Sequence, residues 1–140
     1  MTEADFVESA ELLTNILGRW PSFHDAEVLS MHLERAGDDG PTLDARIHVF
    51  LITNEVDERG YFVRTHDTLV TLRFTNISLR EMHAFNSQNS LFALKIDTVD
   101  PTESEGRRFG VAFHANWGVA AELLCDRIIV CSVEPCAPTA

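Results

Sequence analysis

The sequence predicts an α+β protein, mainly an antiparallel β-sheet, strongly curved as a sandwich or a partly open barrel, with one amphipathic helix at its N-terminus. Three observations predict it. Apolar residues recur at helical spacing only before Gly18, they alternate with polar ones after Pro21, and clusters of Gly, Asp, Asn, Ser and Pro divide that alternation. A length of 140 residues with 45% apolar content fits one domain over 1–140 that buries a core without disulfides or metals.

From Thr2 to Leu17 the residues Phe6, Ala10, Leu13 and Leu17 share one face of a helix spanning about 3–17. Thr2 with Asp5 makes a reduced capping box, and Glu3 and Asp5 sit at the positive end of the helix dipole. Gly18 offers the left-handed stop, and Pro21 forbids continuation. From Glu27 to Arg35, Leu29, Met31 and Leu33 make the apolar face of a strand, while Val28, Ser30, His32 and Glu34 make the other. The Gly37-Asp38-Asp39-Gly40-Pro41 cluster turns the chain. Leu43, Ala45, Ile47, Val49 and Leu51 then alternate with Asp44, Arg46 and His48, so the two strands form a hairpin.

Residues 54–64 hold Glu55, Asp57, Glu58, Arg59 and Gly60, too charged for a core, and read as an exposed loop or a β-excursion. A third strand runs through Val70, Leu72 and Phe74. Two more, Leu79 to Phe85 and Leu91 to Ile96, flank the turn-forming Asn86 to Ser90, and the first of them also reads as a helical turn. Residues 98–108, with Asp100, Pro101, Glu103, Glu105 and Gly106, read as a mobile acidic loop. A second hairpin follows, with Phe109, Val111 and Phe113 before Asn116-Trp117-Gly118 and Val119, Ala121, Leu123 and Cys125 after it. Ile128 to Cys131 closes the sheet, buried on both faces or at its rim, and 134–140 is a short tail.

The formal charge is −11, from 22 acidic and 11 basic side chains, and Lys95 is the sole lysine. Phosphate backbones and anionic membranes attract clustered Lys and Arg, so the balance argues against nucleic acid and membrane partners and favours a basic protein. The same excess also serves plain solubility. The acidic start lacks the basic-then-apolar pattern of a secretory signal and no apolar run approaches a bilayer span, so the expected location is the cytoplasm. Cys125, Cys131 and Cys136 fit no paired metal or redox spacing and read as reduced thiols, the first two packed in strands.

The densest local feature is Trp20-Pro21-Ser22-Phe23-His24-Asp25-Ala26-Glu27, where helix gives way to strand. Its structural reading has Trp20 and Phe23 plugging the end of the sheet and Asp25 accepting backbone N–H groups freed by the turn. A metal reading needs His24 and Asp25, with or without Glu27, to converge with a distant ligand such as His66, His83 or His114. Neighbours on a strand point to opposite faces, so His24 and Asp25 share an ion only if the backbone kinks, and His66-Asp67 meets the same objection. Neither a Gly-x-Ser-x-Gly elbow nor a phosphate-cradling glycine loop occurs, and the cysteines have no His nearby in sequence, so no catalytic residue, metal or cofactor is expected. For binding, two acidic segments stand out: Glu55, Asp57 and Glu58, and then Asp97, Asp100, Glu103 and Glu105. They raise a negative potential that speeds encounter with a basic partner, although solvation alone also explains them and Arg107 and Arg108 offset the second.

Gly18-Arg19-Trp20-Pro21-Ser22-Phe23-His24-Asp25-Ala26-Glu27-Val28, Phe85-Asn86-Ser87-Gln88-Asn89, Cys125-Asp126-Arg127 and Ser132-Val133-Glu134-Pro135 together resemble the immunity protein 50 family of bacterial polymorphic-toxin systems. The resemblance runs from Gly18 to Pro135, and its most specific motif is the Trp-Pro-x-Phe-His-Asp-Ala-Glu run. It implies an α+β protein that binds and neutralises a cognate protein toxin without catalysis. Trp20, Phe23, His24, Asp25, Glu27, Gln88 and Asn89 are the matching positions, as scaffold or as binding site. Two rivals stand beside it. One is a small-molecule carrier with an apolar cavity lined by Phe50, Phe74, Phe85, Phe92, Phe109 and Phe113. The other is a hydrolase using His24, Asp25 and His114 in one cleft.

Overall fold

The computed structural model describes residues 2–137. A 3-10 helix, Glu3–Phe6, leads into a two-residue strand β1 (Val7–Glu8) and the helix α1 (Glu11–Leu17). Eight strands follow: β2 (Glu27–Glu34), β3 (Thr42–Val56), β4 (Phe62–Thr75), β5 (Ser78–His83), β6 (Ser90–Thr98), β7 (Phe109–Trp117), β8 (Ala120–Cys125) and β9 (Arg127–Pro135). They lie in one open sheet of order β1-β9-β4-β3-β2-β6-β7-β8-β5, antiparallel except where β1 runs parallel to β9. The last strand is therefore interior and does not close a barrel. Of the tail, Glu134 and Pro135 belong to β9, while 138–140 lie outside the described residues, as does Met1.

The expected helix over 3–17 is interrupted. Thr2 and Asp5 do form the capping box, but on the 3-10 turn, and Ser9 at φ 58 breaks the run so that Val7 and Glu8 pair with Ile128 and Ile129. The buried face is still the one the spacing picked out, with Ala10, Leu13 and Leu17 in the core and Phe6 stacked near Phe109 at 5.4 Å. Gly18 stops α1 at φ 82, its N–H donating to Thr14 O.

The face assignment of β2 needs correction. A bulge between Val28 and Ser30 re-aims the strand, so Val28 is buried opposite Ile47 and Leu29 stands in solvent, while Met31, half-buried, faces Ala45, and Leu33, opposite Leu43 near the strand's end, is exposed as well. Further irregularities lie in the β3/β4, β4/β9, β5/β8 and β6/β7 pairings, and each adds twist. The sheet coils until Phe74 on β4 meets Phe113 on β7 across the core, with centroids 5.9 Å apart. Of the stretch expected from Leu79 to Phe85, residues up to His83 are strand β5, paired with β8, and Ala84 at φ 64 ends it before Phe85. Cys125 is buried, and burial beside Asp126 pushes its thiol up to about 12, but Cys131, although in a strand, faces solvent. All three thiols are free.

Candidate functional site: the seam and the acidic segments

The sheet consists of two leaves, β1-β9-β4-β3-β2 and β6-β7-β8-β5, joined where the start of β2 meets the start of β6. That seam is short. Besides the Glu27↔Ser90 pairing, Asp25 N donates to Leu91 O (2.8 Å), Leu91 N to Ala26 O (2.9 Å) and Val28 N to Asn89 O (2.9 Å). The Trp20–Glu27 motif and the Asn86–Asn89 motif, far apart in sequence, thus meet across one joint.

Asn89 holds the joint. It is 2% exposed, and its amide makes four bonds: Oδ1 accepts from Asn86 N (3.0 Å) and Val119 N (3.1 Å), while Nδ2 donates to Asn86 O (2.8 Å) and Val28 O (3.3 Å). An amide oxygen with two lone pairs and an NH2 with two hydrogens are then used in full. Glu27 Oε1 accepts Asn89 N at 2.7 Å, so both motifs supply one side of the same network. Gly118, at φ 85, lies so close that an added Cβ would meet Gln88 O at 2.3 Å and Asn89 Oδ1 at 2.6 Å. Gln88 itself is exposed and contributes backbone.

The approach to the joint is kinked twice. Phe23 (φ 63) and Asp25 (φ 65) are left-handed, costing about 1–3 kcal/mol each for non-glycine residues, and such strain persists only where surroundings impose it. Phe23 is buried and meets Trp20 edge-on at 5.5 Å, so the pair does plug the sheet end. The kinks overturn the expectation that His24 and Asp25 point apart: His24 Nδ1 lies 3.2 Å from Asp25 Oδ2. Asp25 accepts from the Asn116 side-chain amide (3.2 Å), whereas the freed His24 N–H goes to Ser22 Oγ (3.2 Å), so its expected role as acceptor of backbone N–H groups is corrected. Asn116 also donates to Leu91 O at 3.0 Å. In the sequence Asn116 and Gly118 read only as turn residues, and the Asn-Trp-Gly run is their one signal.

His24, Asp25 and Asn116 remain exposed, with the His24 ring edge-on to exposed Phe92 at 5.6 Å. Among the described residues no three His, Cys, Asp or Glu side chains gather as a metal would require, and His114 sits opposite Ala93 on the next strand pair. The six phenylalanines proposed to line a cavity do not share one: Phe74, Phe109 and Phe113 fill the core, Phe85 and Phe92 face solvent, and Phe50 lies under Arg64.

The two acidic segments differ. Asp57 caps the β3–β4 turn, accepting from Tyr61 N (3.0 Å) and Arg59 N (2.9 Å), and the Tyr61 bond in particular lowers its carboxyl below the ordinary value. Glu55 and Glu58 are exposed and make no ion pair among the described residues. In the 98–108 segment, Asp100 is lowered by the Thr102 N–H and hydroxyl, and Glu105 is held by Arg80 and Arg107, both at 3.1 Å. The loop read as mobile is tied down: buried Ser104 donates to Asp100 O or Arg107 O, and Arg107 donates to Asn76 O (2.8 Å). Asp97 and Glu103 stay exposed.

Compared with known proteins, the chain matches the family model described as Immunity protein 50 over residues 9–136. No curated protein and no solved structure matches it. With nearly the whole described chain covered, the motif residues meeting at one joint and the expected open, curved antiparallel sheet in place, the chain belongs to the immunity protein 50 family, whose name assigns it the neutralising of a toxin.

Proposed function

We propose that the protein acts in the cytoplasm as one domain that binds a cognate protein toxin and neutralises it by occupying its surface, without chemistry of its own. The family match over 9–136 carries this reading. It is supported by a net charge of −11 and by carboxylates such as Glu55 and Glu58 that face solvent and make no ion pair among the described residues. A buried salt bridge contributes little net stability, but an unpaired surface carboxylate steers a basic partner and disfavours acidic ones. Most matching motif positions serve the fold: Trp20 and Phe23 plug, Glu27 and Asn89 join the leaves, and only His24 and Asp25 among them present side chains outward beside Gln88.

The test is co-expression with the toxin domain encoded beside its gene. Cells making both proteins are expected to grow, and the toxin is expected to carry the tagged chain through purification. Growth arrest despite abundant folded chain would refute the reading.

A further inference from the structure

β3 and β4 outgrow their neighbours. Among the described residues the last β2/β3 rung is Glu27↔His48 and the last β9/β4 rung is Pro135↔Thr68, with Cys136 N donating to Asp67 O (3.2 Å) just beyond it, yet β3 continues to Val56 and β4 begins at Phe62. The rungs Leu51↔Thr65, Ile52↔Arg64 and Val56↔Phe62 therefore form a two-stranded ribbon that extends beyond those rungs, with Leu51 still packed against the core at its base. An isolated ribbon is marginally stable, and this one is fastened at its base. Buried His48 meets Asp67 at 2.7 Å, and the Arg64 guanidinium lies 4.2 Å from the Phe50 ring centroid.

The free end mixes charged side chains with exposed apolar ones. Ile52, Val56, Tyr61 and Phe62 are 52%, 56%, 65% and 62% exposed. Open strand edges are usually blunted with lysine, proline, a bulge or a cover; this one carries an irregularity between Ile52 and Val56 but no lysine or proline, with Glu55 on the strand and Glu58 in the turn beside the exposed apolar side chains. Its inner end borders a cleft of about 120 Å³ lined by Pro21, Ser22, Phe23 and His24, and His24 in turn leans on exposed Phe92. The ribbon and the outward part of the Trp20–Glu27 motif thus form one continuous surface.

We propose that this ribbon is the toxin-contacting surface, and that the toxin adds an extended segment to the open β3 edge between Leu51 and Val56. This deepens the toxin-binding reading above and rests on it. Strand addition uses main-chain bonds for affinity and alternate side chains for specificity. The matching segment presents apolar side chains to Ile52, Val56 and Phe62 and lysine or arginine to Glu55 and Glu58. The 98–108 segment is the lesser surface, because Glu105 is already held by Arg80 and Arg107.

The full-length chain, the pairs Tyr61→Ala/Phe62→Ala and Glu55→Lys/Glu58→Lys, and the control pair Glu81→Lys/Glu122→Lys, exposed on β5 and β8 away from the ribbon, are titrated against the toxin domain encoded beside the gene. Each ribbon pair is expected to weaken binding at least about 30-fold with an unchanged melting temperature, and the control less than about threefold. Hydrogen exchange on the unmodified complex reads the same point without any variant: amides of 51–56 should gain protection. Tight binding by both ribbon pairs, or protection confined to 109–125, overturns the inference while leaving toxin binding intact. So does a ribbon that serves instead to pair two copies of this chain, seen as a dimer that the ribbon pairs dissociate without loss of toxin affinity. Failure of the unmodified chain to bind the toxin removes the underlying reading and this one with it.

Discussion

Replacing Asn89 by alanine removes four hydrogen bonds from a site that is 2% exposed. The Asn86 and Val119 N–H groups and the Val28 and Asn86 carbonyls each lose a partner, while the Glu27 bond to the Asn89 backbone remains. A net hydrogen bond is worth about 1 kcal/mol and a stranded buried group costs about 1–3 kcal/mol. Val28 O and Val119 N are deepest, whereas the Asn86 groups lie near solvent and recover water. The sum is roughly 4 kcal/mol, a large share of the ~5–15 kcal/mol that holds a domain of this kind together. Urea unfolding followed by circular dichroism and tryptophan fluorescence measures it, with the midpoint displaced and the slope unchanged. Asn89→Asp is the companion: it keeps the two acceptor contacts but sets a carboxylate against two carbonyls and close to Glu27, so it should rescue little. A loss below about 1 kcal/mol for Asn89→Ala, or full rescue by aspartate, would refute the role of the amide as the joint between the leaves.

Other consequences are equally direct. Gly118→Ala should destabilise by more than about 2 kcal/mol in the same unfolding assay, because φ 85 and a Cβ at 2.3 Å from Gln88 O both oppose it. Glu8 is lowered chiefly by its Arg127 hydrogen bond and Asp100 by the Thr102 N–H, so the unfolded chain binds more protons at these sites than the folded one. Their stabilisation is present above the ordinary carboxylate values and lost on acidification; melting temperature should fall as pH drops through those ordinary values and go on falling below them, and less steeply in Arg127→Gln. Thiol labelling at pH 8 should modify exposed Cys131 quickly and spare Cys125 until denaturant is added, since burial holds that thiol protonated.

The alternation that marks strands was legible because a half-buried strand writes its two faces into its residues, as Leu43, Ala45, Ile47 and Val49 do against Asp44 and Arg46. What alternation does not encode is a bulge. Leu29 and Val28 exchange faces because one extra residue re-aims β2, and nothing in their chemistry announces it. Pairing order is equally silent: β9 lies beside β4, and the seam sets Asn89 against Val28 across 61 positions. The breaks at Ser9, Phe23 and Asp25 fall on residues with no glycine signal, since tertiary contacts impose their left-handed conformation. The motif of Trp20 to Glu27 with Gln88 and Asn89 was visible as a resemblance before its members were seen to meet. Its role as a joint emerged only from the hydrogen bonds. The ribbon was half legible: the charges of 54–64 placed it in solvent, but the apolar exposure of Val56, Tyr61 and Phe62 emerged only with the sheet around it.

Calorimetric titration of the neighbouring toxin domain with the purified chain tests toxin recognition most directly. A one-to-one complex whose affinity weakens as salt rises, with the toxin silenced at equimolar chain, is the result the acidic surface predicts. Absence of binding under conditions in which the toxin is active would contradict it.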